Sequence, residues 1–116
     1  MKKILTICHF GENRSKYLAS ILKNKNYDVK YKGVKSKTNQ LTQKDVDWAD
    51  KIIIVRDVLK EMFLKKFDPK KKEIITLDII DNPESIRGKS DFVWNKYQEK
   101  NVYPEIEKQI KKYLPL

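Results

Sequence analysis

One cysteine and one histidine in 116 residues remove several classes of protein at once. Cys8 has no partner for an internal disulfide. With only His9 beside it there is no spaced set of soft ligands, so neither zinc nor another bound metal is expected. Long apolar runs are missing too. The opening "MKKILTICHF" has the two lysines of a signal peptide, but its apolar run is about four residues long, short of the usual hydrophobic region. No stretch approaches the length of a membrane span, so no membrane partner is expected. A reducing cytoplasm is the compartment these features suggest, and a reactive thiol persists there.

What the chain does have is charge. Lysine and arginine total 26 against 16 aspartate and glutamate, a formal net charge of +10. The basic residues are nearly all lysine and are spread along the chain, whereas a dedicated nucleic-acid binder concentrates them in a patch or stripe. The one dense run, "KKFDPKKKE" at 65–73, reads as a solvated loop, so nucleic acid is not an expected partner. Apolar clusters recur among these charges and carry two Trp, six Tyr and four Phe, enough for one core but not two. A single domain over residues 1–116 is expected.

Along the chain the apolar pattern changes period repeatedly. "KILTIC" (3–8) reads as a short buried strand ending at the cysteine, and the loop "HFGEN" follows. From Arg14 the apolar residues Tyr17, Leu18, Ile21 and Leu22 recur at helical spacing until "KNKN" ends the run. "YDVKYKGV" is a second strand. "SKTNQ" links it to a helix opening at Thr42, with Asp45 in the position of a capping box. "DKIIIV" (50–55) is the most apolar run and reads as a central strand. A helix over 57–67 is expected to bury Val58, Leu59, Met62 and Phe63. Beyond Pro69 come a fourth strand, "KEIITL", and the acid-rich loop "DIIDNPESIRGKS". Two helices close the chain, "DFVWNKYQ" and "YPEIEKQIKKYL", the second with Ile106, Ile110, Tyr113 and Leu114 on one stripe. Strands alternating with helices imply an α/β fold, a three-layer sandwich around a four-stranded parallel sheet.

In such a sheet, ligands bind beyond the carboxyl ends of the strands, where Cys8 lies. The loop 9–13 runs straight into a helix N-terminus, whose unpaired N–H groups and dipole attract an anion. The same field favours the thiolate, the form of cysteine that attacks. Arg14 adds a planar fork of donors suited to two phosphate oxygens. Ser15 is placed to donate to the sulfur when it becomes a leaving group. His9 reads as a loop residue lining the pocket, and Trp94, Tyr97 and Tyr103 as packing residues. Arg56 and Asp57 follow a strand end and could edge the site.

"CHFGENRS" fits the Cys-x5-Arg-Ser signature of cysteine-dependent phosphatases. Its place at the end of the first strand resembles the low-molecular-weight protein tyrosine phosphatase superfamily, in particular a short group within it. "NRSKYLASIL" also resembles related phosphatases acting on the phosphoserine tail of RNA polymerase. "LDIIDNPES" resembles the family's late loop that carries the catalytic aspartate. The resemblance implies a phosphate-binding loop formed by His9, Phe10, Gly11, Glu12, Asn13 and Ser15, with Cys8 as nucleophile, Arg14 as phosphate ligand and Asp81 as general acid. It also implies a phosphorylated protein or small phosphomonoester as substrate, phosphotyrosine first, and no cofactor. Three departures stand out. Gly11 replaces the usual loop Asn, Glu12 brings a negative charge, and Asn82 rather than Pro follows Asp81, which leaves Asp78 as the alternative acid. A phosphocarrier subunit of a sugar phosphotransferase system, phosphorylated on Cys8, is the rival reading, and Arg14 argues against it. A non-catalytic phosphate-binding module is the third. An arsenate reductase is excluded, because its shuttle needs further cysteines.

Overall fold

The computed structural model describes residues 1–116. Four parallel strands, β1 (Lys3–Cys8), β2 (Asp28–Gly33), β3 (Lys51–Ile54) and β4 (Ile74–Thr76), form one sheet in the order β2-β1-β3-β4. Between them run α1 (Arg14–Lys23), α2 (Gln43–Trp48) and α3 (Asp57–Lys66), and α4 (Asp91–Tyr97) and α5 (Tyr103–Lys111) follow the last strand. The expected α/β class, strand count and parallel direction are all present. No helix is long and apolar enough to cross a membrane.

The strands form where the sequence is most apolar and β-branched. Ile52, Ile53 and Ile54 of β3 are fully buried, so neither face of this strand meets solvent. Each such side chain contributes roughly 1.5–3 kcal/mol through burial. The chain leaves β1 toward β2 on one side and later passes from β2 to β3 and β4 on the other. Right-handed crossovers therefore put α1 on one face of the sheet and α2 and α3 on the opposite one. α5 packs beside α1 on the first face. The reversal occurs between β1 and β3, and the crevice at their carboxyl ends is the fold's natural ligand position.

Local signals explain most boundaries. Thr42 Oγ1 accepts from Asp45 N–H at 3.3 Å and Asp45 Oδ2 accepts from Thr42 N–H at 3.0 Å, a complete capping box with Asp in the usual Glu position. Gly11 has φ +71°, and a Cβ there would lie 2.6 Å from the backbone nitrogen of Gly33. A Cβ on Gly33 would in turn lie 2.4 Å from the carbonyl carbon of Phe10. The loop after β1 thus rests backbone against backbone on the end of β2, a contact that only two glycines allow.

Three expectations are corrected. Val58 is 49 % exposed while Leu59 and Phe63 are buried, because Val58 lies in the first turn of α3, at the carboxyl edge of the sheet. Tyr113 is 43 % exposed, because α5 ends at Lys111 and its apolar stripe stops with Ile110. The closing helices are not separate, because a π-helical turn over Gln98–Val102 joins them. Pro104 has no N–H to give the carbonyl of Lys100, and just before it the N–H of Tyr103 reaches back to the carbonyl of Gln98, one residue further than in an α-helix.

Candidate active site

Cys8 ends β1, is only 3 % exposed and lines a cleft of about 610 Å³. Two groups address its sulfur. The Gly11 N–H donates to Sγ at 3.2 Å, and Ser15 Oγ lies 3.0 Å from it. A thiolate can only accept, so in that state the Ser15 hydroxyl is the donor. Thr6 Oγ1 donates to the Ser15 carbonyl at 2.9 Å and so ties the start of α1 to β1. The loop between them is short and fully anchored.

α1 begins at Arg14 with no side-chain cap and no acidic residue in its first turn. Asn13, which would ordinarily cap it, turns its side chain away. Its Nδ2 donates to Gln98 Oε1 at 2.7 Å and approaches Asp81 Oδ2 at 3.5 Å, while its Oδ1 accepts from the Tyr103 hydroxyl at 2.7 Å. Asn13 and Arg14, at the start of α1, line the cleft, and the first amides of the helix have no side-chain cap, the arrangement that attracts an anion. The loop conformation is held instead by Asn39, whose Nδ2 donates to the carbonyls of Gly11 at 3.0 Å and Tyr31 at 2.7 Å. Glu12 is exposed, and its Oε1 accepts from Thr38 Oγ1 at 2.8 Å at the rim of the loop.

Arg14 is 7 % exposed and is fixed by the late loop. Its Nη1 donates to the Ile79 carbonyl at 2.7 Å, and its Nε lies 3.3 Å from Asp81 Oδ2. That approach lacks hydrogen-bond geometry, so Nε is a buried donor without an acceptor. A buried unpaired donor costs about 1–3 kcal/mol, and a ligand oxygen would remove that cost. Asp81 lies between Arg14 and Asn13 and lines the same cleft as Cys8. Asp78 does not. It is exposed, lines a different cleft with Lys108 and Lys112, and its backbone N–H donates to Gln109 Oε1 at 2.7 Å. His9 and Phe10 line the Cys8 cleft, and Phe10 is 61 % exposed at its mouth.

Several residues here were not expected. Trp94 and Tyr103 line the cleft with Cys8 and Asp81 instead of serving only as packing. α4 has no fully buried residue; its Tyr97 packs against the core, while its Trp94 lines the cleft. Gln98, 1 % exposed, accepts from Asn13 and donates from Nε2 to the Asp81 carbonyl at 2.7 Å, so the π-helical turn clamps both loops. The only signal for it in the sequence is Pro104, which marks where the regular helix must loosen.

Tyr103 and Tyr17 stack with ring centroids 4.1 Å apart. Burial comes first in holding both phenols above their usual value of 10.0. The hydrogen bond from the Tyr17 hydroxyl to Glu107 Oε1 at 2.9 Å adds to this for Tyr17, and the charges of Glu99 and Asp81 add to it for Tyr103. Because the folded state favours the protonated phenols, their contribution to stability is complete below pH 10 and is lost as pH rises through the raised values. In an alkaline titration followed by tyrosinate absorbance, Tyr17 and Tyr103 should contribute a late phase above the ordinary phenol value of 10.0. Replacing Tyr17 and Tyr103 by Phe should remove that late phase. A late phase that persists would refute the assignment.

No family model matches the chain, and no curated protein sequence matches it. Solved structures do. The YwlE arginine phosphatase from Geobacillus stearothermophilus aligns with a TM-score of 0.70 at 20 % identity, over 97 % of this chain and 93 % of its own. A low-molecular-weight phosphotyrosine phosphatase from Vibrio cholerae O395 aligns with a TM-score of 0.70 at 14 % identity, over 99 % of this chain and 98 % of its own. A mutant of the YwlE arginine phosphatase with a phosphorylated active site serine aligns with a TM-score of 0.64 at 15 % identity, over 95 % and 96 %. The chain therefore has the fold of low-molecular-weight phosphatases across nearly its whole length.

Proposed function

We propose that the protein is a cysteine-dependent phosphomonoester hydrolase working through a cysteinyl-phosphate intermediate, with aryl phosphates such as phosphotyrosine as its substrates. The observation that carries this reading is the convergence on one cleft of a thiol with two stabilising donors, an uncapped helix N-terminus, an arginine with an unpaired Nε and a carboxyl group. The two named solved proteins that share the fold are phosphatases by name, and the YwlE mutant carries a phosphoryl group on an active-site side chain. Phe10, Trp94 and Tyr103 give the cleft an aromatic wall that suits an aryl leaving group.

In the first step the Cys8 thiolate attacks phosphorus, an S–P bond forms, and the P–O bond to the leaving group breaks. Loop amides and Arg14 offset the charge on the equatorial oxygens. Asp81 gives its proton to the departing oxygen. In the second step Asp81, now a carboxylate, takes a proton from water as that water attacks phosphorus. The S–P bond breaks, and Ser15 and Gly11 receive the returning thiolate with their hydrogen bonds.

The test is hydrolysis of p-nitrophenyl phosphate in the presence of EDTA. Phosphate release that depends on Cys8 supports the reading, and its absence from well-folded protein would refute it. Asp81→Asn should lower kcat/KM, which reports the steps up to S–P bond formation, by about 10²- to 10³-fold for phenyl phosphate and much less for p-nitrophenyl phosphate, whose leaving group needs little protonation. Equal losses on both substrates would remove Asp81 from the role of acid. The phosphocarrier reading predicts a stable phosphoryl group on Cys8 without turnover, so mass spectrometry of the quenched protein separates the two.

A further inference from the structure

The chain contains 26 basic residues, of which only Arg14, Arg56 and Arg87 are arginines. They come from distant parts of the sequence, the start of α1, the end of β3 and the late loop, yet all three line one small cleft of about 220 Å³. This cleft shares His9, Arg14, Asp81 and Asn82 with the Cys8 cleft and so opens directly off it. No lysine lines it. A surface with 23 lysines, 26 less the three arginines, would supply positive charge almost anywhere, so the gathering of every guanidinium at one point calls for planar, forked donors rather than charge alone.

The state of the two outer arginines supports a ligand. Nε of Arg56 is buried and has no hydrogen-bond partner. Arg87 is exposed, but its Nε donates to the Asn82 carbonyl at 3.1 Å, which holds the guanidinium near the cleft. Neither takes part in any of the four ion pairs of the structure. The one carboxylate in the cleft, Asp81, lies against Arg14. Arg56 and Arg87 are thus two uncompensated forks in a cleft that shares His9, Arg14, Asp81 and Asn82 with the one holding the proposed nucleophile, the arrangement that binds an oxyanion.

We propose that Arg56 and Arg87 form a second oxyanion site next to Cys8, so that preferred substrates carry a further phosphate or carboxylate beside the phosphoryl group that is cleaved. The inference rests on the hydrolase reading only for the word substrate, because the binding itself needs no turnover. The second anion has two possible sources, another phosphate on a small molecule or an acidic side chain flanking a phosphorylated residue.

The experiment is calorimetric titration of the full-length Cys8→Ala protein, which cannot form the covalent intermediate, with inorganic phosphate and with pyrophosphate. A phosphotyrosine peptide flanked by Glu and its Gln-flanked counterpart form the second pair. The expected result is about a tenfold or greater preference for the doubly anionic member of at least one pair, reduced to about threefold or less in Arg56→Gln and in Arg87→Gln. A preference in the first pair assigns the site to small phosphates, and one in the second to acidic phosphoproteins. No preference in either pair, or a preference that both substitutions leave intact, would overturn the proposal. Arg87→Gln alters an exposed side chain, so it keeps the test decisive should Arg56→Gln fail to fold. Turnover of p-nitrophenyl phosphate by the native protein is scored separately. An arginine-dependent preference without turnover retires the hydrolase reading and leaves the second site standing.

Discussion

Replacing Cys8 by alanine should abolish phosphate release from p-nitrophenyl phosphate, with a loss of about 10⁴-fold or more in kcat. The size follows from what remains. The amides of the loop, Arg14 and Asp81 would still bind and polarise the phosphoryl group, but no other side chain of the cleft offers a nucleophile in position. Ser15 is the nearest hydroxyl, and it stands behind the sulfur as a hydrogen-bond donor, 3.0 Å from Sγ. His9 is in the cleft but has no partner placed to orient it toward phosphorus. Cys8→Ser tests the same point differently. Its hydroxyl is not ionised at neutral pH and is a poor leaving group once phosphorylated, so turnover should fall about as far while a phosphoryl group can remain on the side chain. Rapid quenching and intact-mass measurement should find a phosphoryl adduct on native protein during turnover, enriched in Asp81→Asn, and none on Cys8→Ala. Retention of a tenth of the activity by Cys8→Ala would refute covalent catalysis by this thiol. The substitution removes one sulfur from a buried position, so an unchanged circular dichroism spectrum serves as the folding control.

The first half of this arrangement was legible in the sequence because it is local. Strand, loop and helix follow one another within residues 3–23, and the spacing from Cys8 to Arg14 and Ser15 is set by that one connection. The same holds for the fully buried β3 and for the capping box at Thr42, where short-range pattern and tertiary role agree. The second half of the site is built by contacts across the chain. Asp81 reaches Arg14 from a loop with little periodicity, so its place rested on a resemblance, and the structure separates it from Asp78 only through the fold of that loop. Asn39 and Gln98 act on the loop from 28 and 17 residues away from their respective partners Gly11 and Asp81, distances at which no periodicity carries information. Trp94 and Tyr103 read as packing because aromatic residues at helical spacing usually are, yet both line the cleft, Trp94 from α4, which has no fully buried residue, and Tyr103 from the start of α5, where its hydroxyl meets Asn13. The convergence of Arg56 and Arg87 has the same character. Only the parallel sheet, by bringing every strand's carboxyl end to one edge, makes neighbours of them.

Arg14→Lys should lower kcat/KM by about 10²- to 10³-fold although it preserves the charge. Arg14 uses its fork in two directions. Nη1 is committed to the Ile79 carbonyl at 2.7 Å, while Nε, 3.3 Å from Asp81 Oδ2 and without an acceptor, is free for a phosphate oxygen. An ammonium group at the end of a flexible chain is a single point. It can hold the carbonyl or meet the phosphate, but it cannot span both with fixed geometry. If it goes to the phosphate, the Ile79 carbonyl loses its partner and the loop that carries Asp81 loosens; if it stays, the equatorial oxygens lose their forked donor. The two failures are separable. A loosened loop should lower the melting temperature and weaken the general-acid contribution, so the difference between phenyl phosphate and p-nitrophenyl phosphate should widen relative to native protein. A lost phosphate contact should leave that difference intact and lower both substrates equally. Arg14→Ala should lose both functions, and added methylguanidine should restore part of its activity by filling the vacated space with the missing fork. A lysine variant within about threefold of native kcat/KM would mean that charge alone suffices at this position, and the forked contact to phosphate would have to be abandoned.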